Sequence, residues 1–243
     1  MNYHWNWTFF FDITDDGERY YQWILSGLGW TVTVAVCALV IALVLGSILG
    51  VIRTTPSKWL VAIGDAYVEI FRNIPLIVQL FLWYQVFPEF LPKGAGDWVK
   101  QDLPDVVPAV FGLGWYTAAR IAEQVKSGIL SLPRGQTNAG LAMGLTLPQV
   151  YRHVLLPMAY RIILPTLTSE SMNIFKNSSV TYAVGVLELY FQYKQIIEKT
   201  NQVLEITIVV TAIYFILAFS VNRIMALIES RVRVPGYITS GGK

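Results

Sequence analysis

The chain has 243 residues, 54% of them hydrophobic and only 14% charged, with a mean hydropathy of +0.49 and a net charge of +2. A soluble domain of this size carries about a quarter charged residues, so much of this surface is not built to face water, and so small a net charge gives no case for a nucleic-acid partner. The lone cysteine, Cys37, excludes an internal disulfide, has no partner at metal-ligand spacing, and reads as a small apolar side chain in an apolar run.

The N-terminal MNYHWNWTFFFDITDDGERYY has no basic start, short apolar core and small-residue cleavage site, so it does not read as a cleavable signal peptide, and the first apolar run is expected to be retained as an anchor. A helix needs roughly 20 apolar residues to cross a bilayer. Five stretches are read as spans: residues 28–52, 59–87, 106–125, 158–180 and 204–228. The first ends in Gly46-Ser47-Ile48-Leu49-Gly50, whose small residues let another helix approach closely. The prediction is an all-α integral membrane protein, one transmembrane domain over residues 1–243.

Orientation follows from Lys and Arg in the short loops. Arg53 and Lys58 lie between spans one and two; Lys126, Arg134, Arg152 and Arg161 lie between spans three and four without an acid; Arg231, Arg233 and Lys243 follow span five. The opposite side is mixed or acidic, with Asp12, Asp15, Asp16 and Glu18 near the N-terminus and Glu89, Asp97, Asp102 and Asp105 after span two. The N-terminus is therefore expected outside, in the periplasm, and the C-terminus in the cytoplasm. Trp5, Trp7, Tyr20, Tyr21, Trp23, Trp83, Tyr84 and Trp98 fall near the expected interfaces, as an aromatic belt would.

Residues 126–157 form a cytoplasmic loop too polar, and too broken by Pro133, Pro148 and Pro157, to cross a membrane. Pro133 and Gly144 bracket a short helix over residues 136–143, and Thr146 caps a second with Pro148 in its first turn. Ala139, Gly140 and Ala142 are expected to be exposed on the first, beside Leu141 and Met143.

This loop resembles the permease-subunit loop of binding-protein-dependent ABC importers, whose pattern is Glu-Ala-Ala, three residues, Gly, nine residues and Ile-x-Leu-Pro. Here Asn138-Ala139-Gly140 is followed at the same spacing by Gly144 and by Val154-Leu155-Leu156-Pro157, with Asn138 in place of the acid. Glu69-Ile70-Phe71-Arg72-Asn73-Ile74-Pro75-Leu76-Ile77-Val78-Gln79, Leu132-Pro133-Arg134-Gly135-Gln136 and Lys176-Asn177-Ser178-Ser179 are similar to motifs of polar amino acid permeases. Trp5-Asn6-Trp7, Thr117-Ala118-Ala119-Arg120 and Val234-Pro235-Gly236 look most like glutamate/aspartate permease subunits. The resemblance implies a type I ABC importer permease fold in a bacterial inner membrane, surrounded by lipid, importing acidic amino acids by alternating access. It implies a related second permease subunit, two copies of an ABC ATPase carrying ATP and Mg, and a periplasmic substrate-binding protein. The loop, with Asn138, Ala139, Gly140, Gly144, Leu156 and Pro157, would dock the ATPase. Glutamine, histidine or arginine as cargo is the alternative within the family; an ion-coupled carrier, which would favour internal repeats, is the alternative outside it.

The chain has no G-x-x-x-x-G-K-[ST], no zinc-hydrolase spacing and no set of nucleophile, base and acid. It is expected to be no enzyme by itself, with no cofactor or metal of its own. Ionisable residues at membrane depth are costly and usually face a bundle interior or a water-filled path. Asp65, Arg161 and Arg223 sit near expected span ends and can snorkel. Glu69 and Arg72 share a helical face, and either pair with each other or line a path. Glu170 and Lys176 do not share a face, so each is expected to find its partner on another span. Arg120 either pairs with Glu123 on its own face or reads a cargo carboxylate, for which an arginine fork is suited. Arg120, Glu69, Arg72, Glu170, Lys176, Asn177, Ser178 and Thr117 are the candidates for the substrate path.

Overall fold

In lipid every backbone polar group must be satisfied within the chain, and a long apolar stretch does this as a helix. In the computed structural model, which describes residues 3–15 and 17–232, the first such stretch is α1, Tyr20–Ile52. Asp16, Arg233, Lys243 and Val234-Pro235-Gly236 lie outside the described residues. Among the described residues there is no strand, only an isolated bridge between Ile13 and Arg19.

The stretch read as one continuous span over residues 59–87 is broken. α2, Lys58–Asn73, ends before Pro75, and α3, Leu76–Phe81, starts after it. Pro75 is extended, with ψ of 142°; it has no N–H to donate, and its ring keeps Ile74 out of the helical region. The chain continues through a π-helical turn, Leu82–Val86, and a 3-10 turn, Phe87–Phe90. A short helix that the sequence reading did not anticipate, α4, Lys93–Gln101, leads to α5, Val106–Leu130. Then follow α6, Arg134–Ala142, α7, Leu147–Val150, and α8, Leu156–Asn177, which carries Pro165 inside it. α9, Leu189–Thr200, and α10, Val203–Val232, complete the described chain.

α1 and α10 are each long and apolar enough to cross a bilayer, and α2 with the helical stretch Leu76–Phe90 is so as a broken pair. Their outward faces are apolar: Val36, Val40, Val44 and Ile48 on α1, joined there by Cys37, and Phe215, Ile216, Phe219 and Ile224 on α10. α5 differs in being enclosed by protein, with Ala109, Leu113, Ala118, Ala119, Ile121 and Ala122 fully buried. Its charges Arg120, Glu123 and Lys126 pair with side chains outside α5.

Contacts divide the chain into two units. The first runs to Leu39 and includes Ile74–Gly114 and Asn173–Ser220; the second comprises Val40–Asn73, Trp115–Met172 and the chain from Val221. In the first, Phe9, Tyr20, Ile24, Leu189, Ile196 and Ile206 form a core. The N-terminal segment is held onto α10 by the Asn6 amide, which donates to Glu205 at 2.8 Å, and by the Tyr3 hydroxyl on the same carboxylate. Lys199 pairs with Asp15 at 2.6 Å and holds that carboxyl below its ordinary range.

Glu188 caps α9 from a fully buried position, accepting from the amides of Tyr190 and Phe191 at 2.9 and 2.7 Å and from the Tyr214 hydroxyl at 2.9 Å. Burial pushes its carboxyl up to about 7, against these hydrogen bonds, which favour the ionised form. A carboxyl raised above its unfolded value of about 4.3 binds a proton in the folded state that the unfolded state lacks. Its stability contribution is thus full below pH 4.3 and is lost as pH rises through about 7. Thermal unfolding in detergent is expected to show this decline between those pH values, and Glu188→Gln is expected to flatten it.

In the second unit α1 packs on α5 through Gly46 and Gly50. A Cβ on Gly46 would lie 2.8 Å from the Ala118 carbonyl oxygen, and one on Gly50 would lie 2.6 Å from Val125. The small residues at the end of the first span are therefore there for close approach, and α5 is the helix that approaches. Ala42, Ile121, Val125, Ala159 and Ile163 form the core that follows from it.

Candidate functional site

Three arrangements in the second unit bring expected residues together, and the first, in the loop after α5, is a compact hairpin. In that hairpin α6 ends in a Schellman motif: Gly144 is left-handed at φ 84°, its amide donates to the Leu141 carbonyl at 3.0 Å, and the Leu145 amide donates to Gly140 at 3.1 Å. α7 opens with a capping box in which the Gln149 side chain accepts the Thr146 amide at 2.8 Å. Gly140 is buried rather than exposed as expected, because a Cβ there would meet the Val150 side chain at 2.9 Å. Asn138, Ala139, Leu141, Ala142 and Met143 face outward, Met143 being 78% exposed and Leu141 45%. Leu156 is half-buried and Pro157 exposed at the start of α8. The Tyr151 hydroxyl donates to the Thr54 carbonyl at 2.8 Å, tying the hairpin to the turn after α1.

The second arrangement centres on Arg120 of α5. Its partner is not Glu123. Its Nε donates to the Glu170 carboxylate of α8 at 3.2 and 3.3 Å, and its Nη1 donates to the Tyr116 hydroxyl at 3.2 Å. The guanidinium lies 5.8 Å from the Tyr116 ring centre. Glu170 is enclosed, its side chain 10% exposed, whereas the Arg120 side chain is 44% exposed. An arginine has five N–H donors in a planar fork; Glu170 and Tyr116 take part of it, and the side chain keeps 44% of its surface exposed.

The third arrangement is a cleft of about 560 Å³ lined by Arg53, Asp65, Glu69, Arg72, Glu123 and Lys126, with Val68 and Asn73. Arg53 is its hub. It is 6% exposed, donates to Asp65 at 2.6 Å and to Glu123 at 2.9 Å, and lies across Gly64, where a Cβ would meet its Cγ at 2.5 Å. Lys126 reaches Asp65 at 3.2 Å, so Asp65 is held by two cations rather than snorkelling free. Arg72 reaches Glu123 at 3.5 Å and is 51% exposed. Glu69 lines the same cleft and, among the described residues, has no cation within ion-pair distance. Of the alternatives for these charges, the pairs Glu69–Arg72 and Arg120–Glu123 do not form, and Arg72 and Arg120 instead pair with carboxylates on other helices.

The remaining candidates lie elsewhere. Thr117 is 2% exposed within α5, and the Ser178 hydroxyl is used on its own helix, donating to the Phe175 carbonyl at 2.8 Å. Lys176 and Asn177 end α8; Lys176 is exposed and, among the described residues, has no carboxylate within ion-pair distance. Both belong with Ser178 to the first unit, whereas Glu69, Arg72, Arg120 and Glu170 belong to the second. Sequence reading missed Arg53 and Tyr116. The signal for Tyr116 was its place four residues before Arg120; Arg53 was read as a loop charge and had no local signal. Among the described residues no group of His, Cys, Asp and Glu gathers as a metal site would.

Residues 42–234 match the family described as binding-protein-dependent transport system inner membrane component. The chain is 44% identical, over all of its length and all of the relative's, to the glutamate/aspartate import permease protein GltJ of Escherichia coli K12. It is 29% identical, over 86% of its length and 93% of the relative's, to the glutamate/aspartate import permease protein GltK of Escherichia coli O6:H1. Among solved structures, an amino acid ABC transporter with histidines aligns over 87% of this chain and 95% of its own, with a TM-score of 0.74 and 27% identity.

Proposed function

The chain belongs to the family of binding-protein-dependent transport system inner membrane components, and we propose that it is one permease subunit of an ABC importer that carries glutamate and aspartate inward. Full-length similarity to a glutamate/aspartate permease supports this cargo class. The observation in the molecule itself that carries it is Arg120, a half-exposed guanidinium held in place by Glu170 and Tyr116 on a largely buried helix. A cation fixed in this way suits the side-chain carboxylate of an acidic amino acid, because its fork is oriented before cargo arrives and loses little freedom on binding.

The path is half of one. A second, related permease subunit completes it, two copies of an ABC ATPase hold ATP and Mg, and a periplasmic protein delivers cargo. In this reading the chain crosses the membrane five times, with the N-terminus in the periplasm and the α6–α7 hairpin on the cytoplasmic side. There Leu141, Ala142 and Met143 offer a small, partly apolar surface to the ATPase. Closure of the two ATPases on ATP moves the hairpin, and Tyr151 passes that movement to the end of α1. The spans then alternate between outward and inward access. The ATP chemistry belongs to the partner; this chain's residues bind cargo, hold it and transmit movement.

Uptake competition in vesicles tests the cargo. An excess of unlabelled glutamate or aspartate is expected to abolish uptake of labelled glutamate, while equal glutamine or arginine leaves it largely intact. Equal competition by glutamine would assign the chain to another polar amino acid.

A further inference from the structure

The cleft between α2 and α5 contains a charge arrangement that the Arg120 site leaves unused. Lys126, Asp65, Arg53, Glu123 and Arg72 form a chain of alternating charges, each linked to the next at 2.6 to 3.5 Å. Three cations share two carboxylates, so the chain has one positive charge in excess. Its inner members are committed: Arg53 has both carboxylates as close partners and is nearly enclosed. The weakest link is the last, Arg72 to Glu123, at 3.5 Å and with Arg72 half-exposed. One turn earlier on α2 stands Glu69, exposed and, among the described residues, without a cation within ion-pair distance. Residues three apart on a helix are neighbours, about 5–6 Å between Cβ atoms, so Glu69 and Arg72 could reach each other. They do not, because Glu123 holds Arg72 in its direction. The result is an accessible anion beside an accessible cation, both opening on a cleft of about 560 Å³.

We propose that this cleft binds the head group common to α-amino acids, with Glu69 taking the ammonium and Arg72 the carboxylate. It rests on the reading of the chain as an amino acid permease. It also divides recognition: the α2 cleft senses that the cargo is an amino acid, and Arg120 senses that its side chain is acidic. A zwitterion suits the cleft better than a simple ion does, because it satisfies both groups and leaves the local charge unchanged. Glu123 has a further role as a positioning residue. It keeps Arg72 from pairing with Glu69, and a cargo carboxylate competes with it only at the long contact.

The test uses the assembled permease and ATPase subunits in nanodiscs with no binding protein present, so that the binding protein's own selectivity does not enter. Competition against labelled glutamate is measured with glutarate, which has both carboxylates but no ammonium, and with glutamine. Loss of one charge-assisted hydrogen bond corresponds to about tenfold or more in affinity. The unaltered protein is expected to prefer glutamate over glutarate by at least about that factor. Glu69→Gln is expected to bring the two within about twofold while preserving the preference for glutamate over glutamine; Arg120→Gln is expected to do the reverse. Arg72→Lys, which keeps the charge and loses the fork, is expected to weaken glutamate and glutamine equally. Unchanged preference over glutarate in both Glu69→Gln and Arg72→Gln, in assemblies that purify intact, would overturn the head-group site and leave the cargo reading standing. Failure of the unaltered assembly to distinguish glutamate from glutamine would overturn the cargo reading instead.

Discussion

Arg120→Gln is expected to lower uptake of glutamate and aspartate by about tenfold to a hundredfold, the range that follows from removing a hydrogen-bonded charge worth about 1.5–3 kcal/mol. The loss should fall on affinity for acidic cargo, with glutamine uptake unchanged or improved. Two effects must be separated. Removing Arg120 also leaves Glu170, which is 10% exposed, without its cation, and an uncompensated buried charge is strongly destabilising. Arg120→Gln with Glu170→Gln removes both charges and keeps two amides that can hydrogen-bond. If the pair is only structural, the double variant regains both assembly and acidic uptake. If Arg120 reads the cargo, the double variant regains assembly while acidic uptake stays low. Uptake of glutamate and glutamine, with the amount of intact complex measured alongside, checks this.

Gly140→Val is expected to uncouple the permease from its ATPase. A Cβ at this position would lie 2.9 Å from the Val150 side chain, and a branched side chain would drive further into it. Overpacking of this kind costs about 1–3 kcal/mol, and here the cost falls on the contact that sets α6 against α7. The hairpin would open or tilt, and Leu141 and Met143 would leave their docking position. Uptake is expected to fall by about tenfold or more, and stimulation of ATP hydrolysis by loaded binding protein is expected to fall with it. The amount of permease in the membrane is measured alongside, because Val150 belongs to the core shared by α1, α5 and α8, and the loss of uptake is expected to exceed any loss of protein. Gly140→Ala tests the same contact with a smaller intrusion and is expected to give a partial effect. Normal stimulation in both variants would remove the hairpin from the coupling route.

The elements that the sequence showed clearly were those governed by local chemistry. Gly144 and Thr146 fixed the ends of α6 and α7 because a left-handed stop and a capping box each depend on a few neighbouring residues. Gly46 and Gly50 showed where a helix could come close, though not that α5 was the one. The break at Pro75 was visible in principle, since the residue before proline leaves the helical region; hydropathy averaged over residues 59–87 concealed it. The charges were read less well, for a single reason. Spacing along a helix says which side chains share a face, not which way each one leans. Arg72 and Arg120 both have a carboxylate within reach on their own helix, and both turn instead to one on another. Arg53 shows the same limit, since its buried place depends on Gly64 leaving room beneath it, a relation that exists only once α1 and α2 are packed.

The proposed role of this chain is that of the permease half of an ATP-driven importer of acidic amino acids. Its most direct test is uptake of labelled glutamate into proteoliposomes that contain this chain, its related permease and the ATPase, with loaded binding protein outside. Accumulation is expected to require ATP in the ATPase compartment, to be abolished without the binding protein, and to persist when proton and sodium gradients are collapsed. Accumulation that follows an ion gradient and continues without ATP would contradict it.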